Sequence, residues 1–121
     1  MKSRTLGTMK APIDPYFTPF LNPSALAERY AQLAPSLHRT PVLHSTSLDT
    51  WSGAELHFKC ENFQKSGAFK MRGVTNALRE LAAQGLPAGG VCTHSSGNHG
   101  QALAWASAAL GIPCTVVMPS N

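Results

Sequence analysis

Charge is scarce in this chain: Asp, Glu, Lys and Arg make up 13% of its 121 residues, against about a quarter in ordinary soluble domains. A surface so poor in charge is expected to be partly covered, or to belong to a larger structure. Long apolar runs are missing too. None approaches the roughly 20 residues needed to cross a bilayer, and the best stretch is broken by Gly111 and Pro113, so no membrane partner is expected. The N-terminus, Met1-Lys2-Ser3-Arg4-Thr5-Leu6-Gly7, has basic residues but no apolar core behind them, which excludes a secretory signal. Cysteines are few, odd in number and far apart, at Cys60, Cys92 and Cys114. That excludes a disulfide framework, offers no metal-ligand spacing, and fits a reducing, cytoplasmic compartment. The formal charge is +4, yet there is no Lys/Arg tract. Scattered basic residues exclude a nucleic-acid footprint and suit a small anionic ligand better. Neither a GxGxxG fingerprint nor a GxxxxGK[ST] phosphate loop occurs.

What is present is a chain that is 43% apolar, too much for a disordered segment. Residues 1–25 form an irregular arm carrying Pro12, Pro15, Pro19 and Pro23. A first helix over about 25–34 is expected, capped by Ser24 and stopped at Pro35. Thr40-Pro41-Val42-Leu43 is extended by the restriction that proline places on its predecessor. Residues 55–60 alternate in polarity and predict a strand, followed by a polar loop over 61–69. Met71, Val74, Leu78 and Leu81 recur at helical spacing and predict an amphipathic helix over 69–84, with Ser66 or a nearby group as cap and Gly85 and Pro87 as stops. A short strand at 89–93, a polar glycine loop at 94–100, a helix at 101–110 and a β-branched strand at 115–118 complete the order. Strands alternating with helices give an α/β fold with parallel pairing, the last strand covered on both faces. An end at Asn121, straight after such a strand, reads as a fragment. The three cysteines sit in strand-like contexts and are expected to be buried; Trp105 is expected to fill a gap beside its helix, and Tyr16, Phe17, Phe20 and Trp51 to serve in packing.

Two loops carry the chemistry, both leaving the strand ends where open parallel sheets bind ligands. Lys70 stands at a helix start after Phe69. The helix dipole and partial burial favour its neutral amine, the form that condenses with an aldehyde or accepts a proton. The alternative is a solvated lysine on the first turn. Ser95-Ser96-Gly97-Asn98-His99-Gly100 opens a helix directly after a strand. Free N–H groups there cradle an anion, and Gly97 and Gly100 permit positive φ and close approach. A plain capping loop is the alternative. His94 and His99 flank the loop without a metal-binding partner at recognised spacing, and a Cys92–His99 pair lacks an orienting third group.

Together Lys70 and this loop resemble the fold-type II pyridoxal-phosphate enzymes, in particular the serine racemases and serine/threonine dehydratases. The matching stretches are Phe58-Lys59-Cys60-Glu61-Asn62-Phe63-Gln64-Lys65-Ser66-Gly67-Ala68-Phe69-Lys70-Met71-Arg72-Gly73 and Thr93-His94-Ser95-Ser96-Gly97-Asn98-His99-Gly100-Gln101-Ala102, with Thr40-Pro41-Val42-Leu43, Gly111-Ile112-Pro113 and Met118-Pro119 in support. The resemblance implies that Lys70 joins pyridoxal 5'-phosphate as a Schiff base and takes the substrate's α-proton. Phe69 then lies beside the pyridine ring and Asn98 binds its phenolic oxygen. Ser95, Ser96, Gly97, Asn98 and His99 hold the amino-acid carboxylate, and Ser96 is the acid or base on the opposite face. Dehydratases commonly carry alanine at the second position of Ser95-Ser96; two serines look more like serine racemase.

Nucleotide-responsive members use a lysine matching Lys65 and a serine pair near Ser45. Here the pair reads Ser45-Thr46 and is followed by Ser47 rather than an apolar residue. ATP and a divalent cation such as Mg2+ are the implied effectors of the complete enzyme. The family's phosphate-binding glycine loop, the residue facing the pyridine nitrogen and the carboxylates of its metal site all lie downstream, so no metal site is expected in this chain. The resemblance implies an α/β fold with parallel or mixed sheets flanked by helices, incomplete here: residues 1–82 correspond to the N-terminal share of the family's large domain and 83–121 to the start of its small domain. The implied activity is elimination from L-serine or L-threonine to a 2-oxo acid and ammonia, or serine racemisation, in a homodimer at full length. β-Replacement, as in cysteine or threonine synthesis, is an alternative chemistry. A catalytically inactive fragment or pseudoenzyme is the alternative of another class, and the 121 residues alone are expected to show no turnover.

Overall fold

The computed structural model describes residues 22–86 and 88–120. The described residues divide into two units at the Gln32–Leu33 boundary. Of α1 (Pro23–Leu33), all but Leu33 belongs to the first. Its cap is not Ser24 but Asn22, whose Oδ1 accepts from Ser24 N at 3.0 Å. Pro23 then occupies the first helical position, where its missing N–H costs nothing. The expected Pro87 stop and the aromatics Tyr16, Phe17 and Phe20 lie outside the described residues.

The second unit contains β1 (Val42–Leu43), α2 (Thr46–Ser52), β2 (Phe58–Lys59), α3 (Lys70–Gln84), β3 (Val91–His94), α4 (Asn98–Leu110) and β4 (Cys114–Val117). The α/β class with both parallel and antiparallel pairing holds; what the chain order left open was which strand pairs with which. β1 and β2 pair antiparallel, Val42 with Lys59 and Leu43 with Phe58, and the expected strand at 55–60 contributes only two residues to that ladder. The parallel pair is β3 with β4, running from Val91–Cys114 to His94–Val117. Alternating polarity marks a strand without specifying its partner, and only the fold chose the direction. The connection between β1 and β2 holds the unexpected α2. Seven residues are too few to display helical periodicity, but its ends are specified: Ser45 Oγ accepts from Leu48 N at 3.4 Å and Gly53 closes it at φ 70°.

The core of this unit gathers Leu33, Leu37, Met71, Val74, Leu78, Ala102, Leu103, Ala106 and Ile112. α3 packs along α4, and α4 packs on β4. Alanines at 102 and 106, both essentially inaccessible, let the α4 backbone approach closely. Several expected burials are corrected. Leu81 is left 42% exposed beyond the buried face of α3, and Val117 is 60% exposed, so β4 is covered on one face only. Cys92 is exposed and Cys60 and Cys114 are half-buried. Trp51 is 85% exposed, and half-exposed Trp105 lines a shallow pocket with Lys65, Met71 and Thr75.

A polar network holds the 38–40 segment against the loop before α3. Buried Gln64 accepts from His38 N at 2.8 Å and donates to His38 O at 2.9 Å. Arg72 forks onto Glu61 through Nε and Nη2 at 2.8 and 2.7 Å, and Thr40 Oγ1 donates to the same carboxylate at 2.5 Å. The Arg72 hydrogen bonds above all, with Thr40 and the charge of Lys59, hold Glu61 down from 4.5 to about 2 against the opposing effect of burial. A depressed folded pKa contributes stability above about pH 4.5 that is lost as pH falls toward 2. The contribution is on the order of 2 kcal/mol, allowing for the pair's partial solvation. Urea midpoints between pH 6 and 2.5 are expected to fall less steeply in Glu61→Gln than in the parent; parallel profiles would show that the pair carries no acid sensitivity.

Candidate functional site

The site begins where two successive left-handed residues turn the chain into α3. Ser66 has φ 60° and Gly67 φ 67°. A non-glycine residue there costs on the order of 1–3 kcal/mol and persists only where its surroundings enforce it. The turn buries Ser66 and Ala68 and leaves Phe69 and Lys70 outward. Ser66 does not cap α3: its hydroxyl is buried without a hydrogen-bond partner, and the cap position falls to Phe69 with no side-chain bond.

Lys70 is the first residue of α3, as expected, but it is exposed rather than partly buried. Its Nζ stands 5.3 Å from the centroid of the Phe69 ring, which is itself 59% exposed. Both residues line a cleft of about 590 Å³ with Arg72, Cys92, Thr93 and His99 over an apolar floor that includes Leu78 and Leu103. That volume suits a small cofactor or substrate.

The second loop is shorter than expected, because α4 already starts at Asn98. Ser95 turns its hydroxyl inward, accepting from Gly97 N at 3.3 Å and Gly100 N at 3.1 Å. Ser95 Oγ is therefore committed to the start of α4. Neither Gly97 nor Gly100 uses a positive φ. Gly100 is required for closeness instead: an added Cβ would lie 2.8 Å from Ser95 O and 3.0 Å from Val116 Cγ1. The N–H groups of Asn98 and His99, at the first two positions of α4, have no carbonyl four residues earlier inside the helix to accept them.

The structure brings Lys70, Phe69 and His99 to one cleft. Ser95, Ser96, Gly97 and Asn98 line a second pocket of about 320 Å³ with Gln101 and Met118. Asn98 and His99 are successive at the N-terminus of α4, but each lines a different pocket. Lys65 lies elsewhere, beside Trp105, and Ser45 is engaged as the cap of α2. Cys92 and His99 share the Lys70 cleft, but among the described residues no hydrogen bond joins them. Arg72 is the residue that sequence reasoning passed over: it lines the cleft while gripping Glu61. Its position two residues after Lys70, on the first turn, was the available signal. Among the described residues no helix is long and apolar enough to cross a membrane.

The chain is similar to several known proteins. The chain is 47% identical over 96 residues to the serine racemase of Dictyostelium discoideum, covering 79% of this chain and 29% of that protein. It is 51% identical over 90 residues to the β-hydroxyaspartate dehydratase of Paracoccus denitrificans, covering 74% and 28%. The solved structure of maize serine racemase superposes with a TM-score of 0.72 at 48% identity, covering 81% of this chain and 30% of that one. The chain thus spans less than a third of the length of these relatives. Residues 33–121 match the family model described as pyridoxal-phosphate dependent enzyme, and with the relatives above this establishes that the chain belongs to the pyridoxal-phosphate dependent enzymes.

Proposed function

We propose that the protein acts on small 3-hydroxy amino acids, serine foremost, as a pyridoxal-phosphate dependent racemase and ammonia-lyase. The observation that carries this is Lys70: an exposed amine at the head of α3, beside an exposed aromatic ring, at a cleft of suitable size. These features fit a pyridoxal group, which needs an accessible amine and a flanking apolar face. When bound, the cofactor supplies an electron sink for the negative charge that develops at Cα. This chain's residues do the rest. Lys70 accepts the α-proton at Nζ on one side. The N–H groups without an intrahelical acceptor at the start of α4 receive the substrate carboxylate, and Asn98 offers its amide to the cofactor's ring oxygen. The Ser96 hydroxyl moves a proton on the other side. Return of a proton there inverts the amino acid, whereas departure of the β-hydroxyl leads to a 2-oxo acid and ammonia.

By the same likeness, residues 1–82 belong to the large domain and 83–121 begin the small one, in a cytoplasmic homodimer. The test is to supply the complete enzyme, not the 121 residues alone, with pyridoxal phosphate and L-serine, then to measure D-serine by chiral chromatography and 2-oxo acid by coupled assay. Both products are expected. Ser96→Ala should lower racemisation by about 10²-fold or more while elimination from L-serine falls less. Formation of neither product would end this reading, and a replacement product with sulfide in place of 2-oxo acid would favour β-replacement.

A further inference from the structure

The antiparallel ladder of β1 and β2 pairs Leu43 with Phe58. One step further along, His44 and His57 stand opposite each other, and Glu55 lies two residues before His57, on the same side of the strand. The contacts bear this out. The two imidazole centroids are 4.2 Å apart with their planes at 75°, and His57 Nε2 is 3.4 Å from Glu55 Oε1. One donor atom from each of the three side chains lies within 4.8 Å of the other two, and among the described residues this is the one such grouping of three. All three side chains are exposed and open to an incoming ion.

We propose that His44, Glu55 and His57 bind a divalent cation of the zinc, nickel and copper class. Two imidazole nitrogens and one carboxylate oxygen suit these ions; Mg2+ and Ca2+ prefer all-oxygen sets. A tetrahedral ion with bonds near 2.0–2.1 Å holds its ligands about 3.3 Å apart. The Glu55–His57 pair already has that spacing, so closing the site requires only rotation of the exposed His44 side chain. The backbone beneath is braced. Asp49 Oδ1 accepts from Leu56 N, between two of the ligands, at 2.8 Å, and Cys60 N donates to Pro41 O at 3.0 Å across the ladder. Three protein ligands leave a fourth position for water. None of the three lines the Lys70 cleft, so the site stands apart from the proposed chemistry. The spacing of 11 and 13 residues hid it from sequence reading, because the ladder register alone brings the residues together.

The test is calorimetric titration of the full chain with Zn2+, repeated with Mg2+. Removing a partner that merely orients a ligand costs 10- to 100-fold in metal affinity, so removing a ligand is expected to cost at least about tenfold. His44→Ala and His57→Ala should each weaken one Zn2+ site by that factor. His38→Ala, an exposed histidine elsewhere, should leave it unchanged, and any Mg2+ heat should be the same in the His44 and His57 variants as in the parent. Thermal midpoints without metal check that the variants fold, and in the parent the midpoint should rise with Zn2+ by mass action. Unchanged affinity in both variants, a loss confined to one histidine, or an equal loss in His38→Ala would overturn the proposal and leave an ion pair of His57 with Glu55 only.

Discussion

Lys70→Ala is expected to abolish covalent capture of pyridoxal and to lower turnover of L-serine by more than about 10³-fold, since it removes both the attachment point and the proposed base. Borohydride treatment of the full chain with cofactor should add the pyridoxyl mass to the peptide containing Lys70 in the parent and to no peptide in the variant. Stability should barely move. Lys70 is exposed at the first position of α3, where a cation is disfavoured by the helix dipole and alanine is a better helix former. The change in unfolding free energy is expected to lie within about 0.5 kcal/mol. That contrast separates a residue kept for chemistry from one kept for structure. A pyridoxyl label that persists in the variant, or turnover that survives, would remove Lys70 from the proposed role.

Gly90→Ala is expected to be the most damaging substitution for the fold, at about 3 kcal/mol or more. Gly90 has φ 75°, and a Cβ built there meets Pro113 O at 2.0 Å and Pro113 Cβ at 2.8 Å. Pro113 cannot yield cheaply, because its carbonyl accepts the Val91 N–H at 2.9 Å and so opens the β3–β4 ladder. Backbone strain and overpacking each cost on the order of 1–3 kcal/mol, and here they coincide. Gly89→Ala is the control: nothing lies within 4 Å of its built Cβ, and its effect should stay near 0.5 kcal/mol or below. Urea midpoints of the two variants in the full chain decide the matter. Equal midpoints would show that the close approach of Gly90 to Pro113 is not a structural requirement.

Much of the site was legible in consecutive residues. Met71, Val74 and Leu78 announce α3, and Gly85 and Gly111 stop α3 and α4 at positive φ. Lys70 at the head of one helix and the Ser95–Gly100 loop at the head of another follow from those boundaries. Such features are local: helical period, caps and left-handed turns depend on residues a few positions apart. Other features were not legible. α2 is too short to show a period. The antiparallel pairing of β1 with β2 was not specified, because alternation identifies a strand and not its neighbour. Cys92 is exposed because one side of β3 is uncovered, and Ser95 turns inward because Gly100 brings α4 down onto it.

By itself, then, the sequence determined the order of the main helices and strands, the family likeness, and the amine and hydroxyls on which the proposed chemistry rests. Only the tertiary structure decided strand direction and which faces are covered. It also decided that Lys70 and His99 share a cleft while Ser96 lines a separate pocket, and that His44 and His57 meet across a ladder. The physical reason is one of range. Local preferences are carried by neighbouring residues, whereas pairing, register and burial are settled by contacts between segments far apart in the chain.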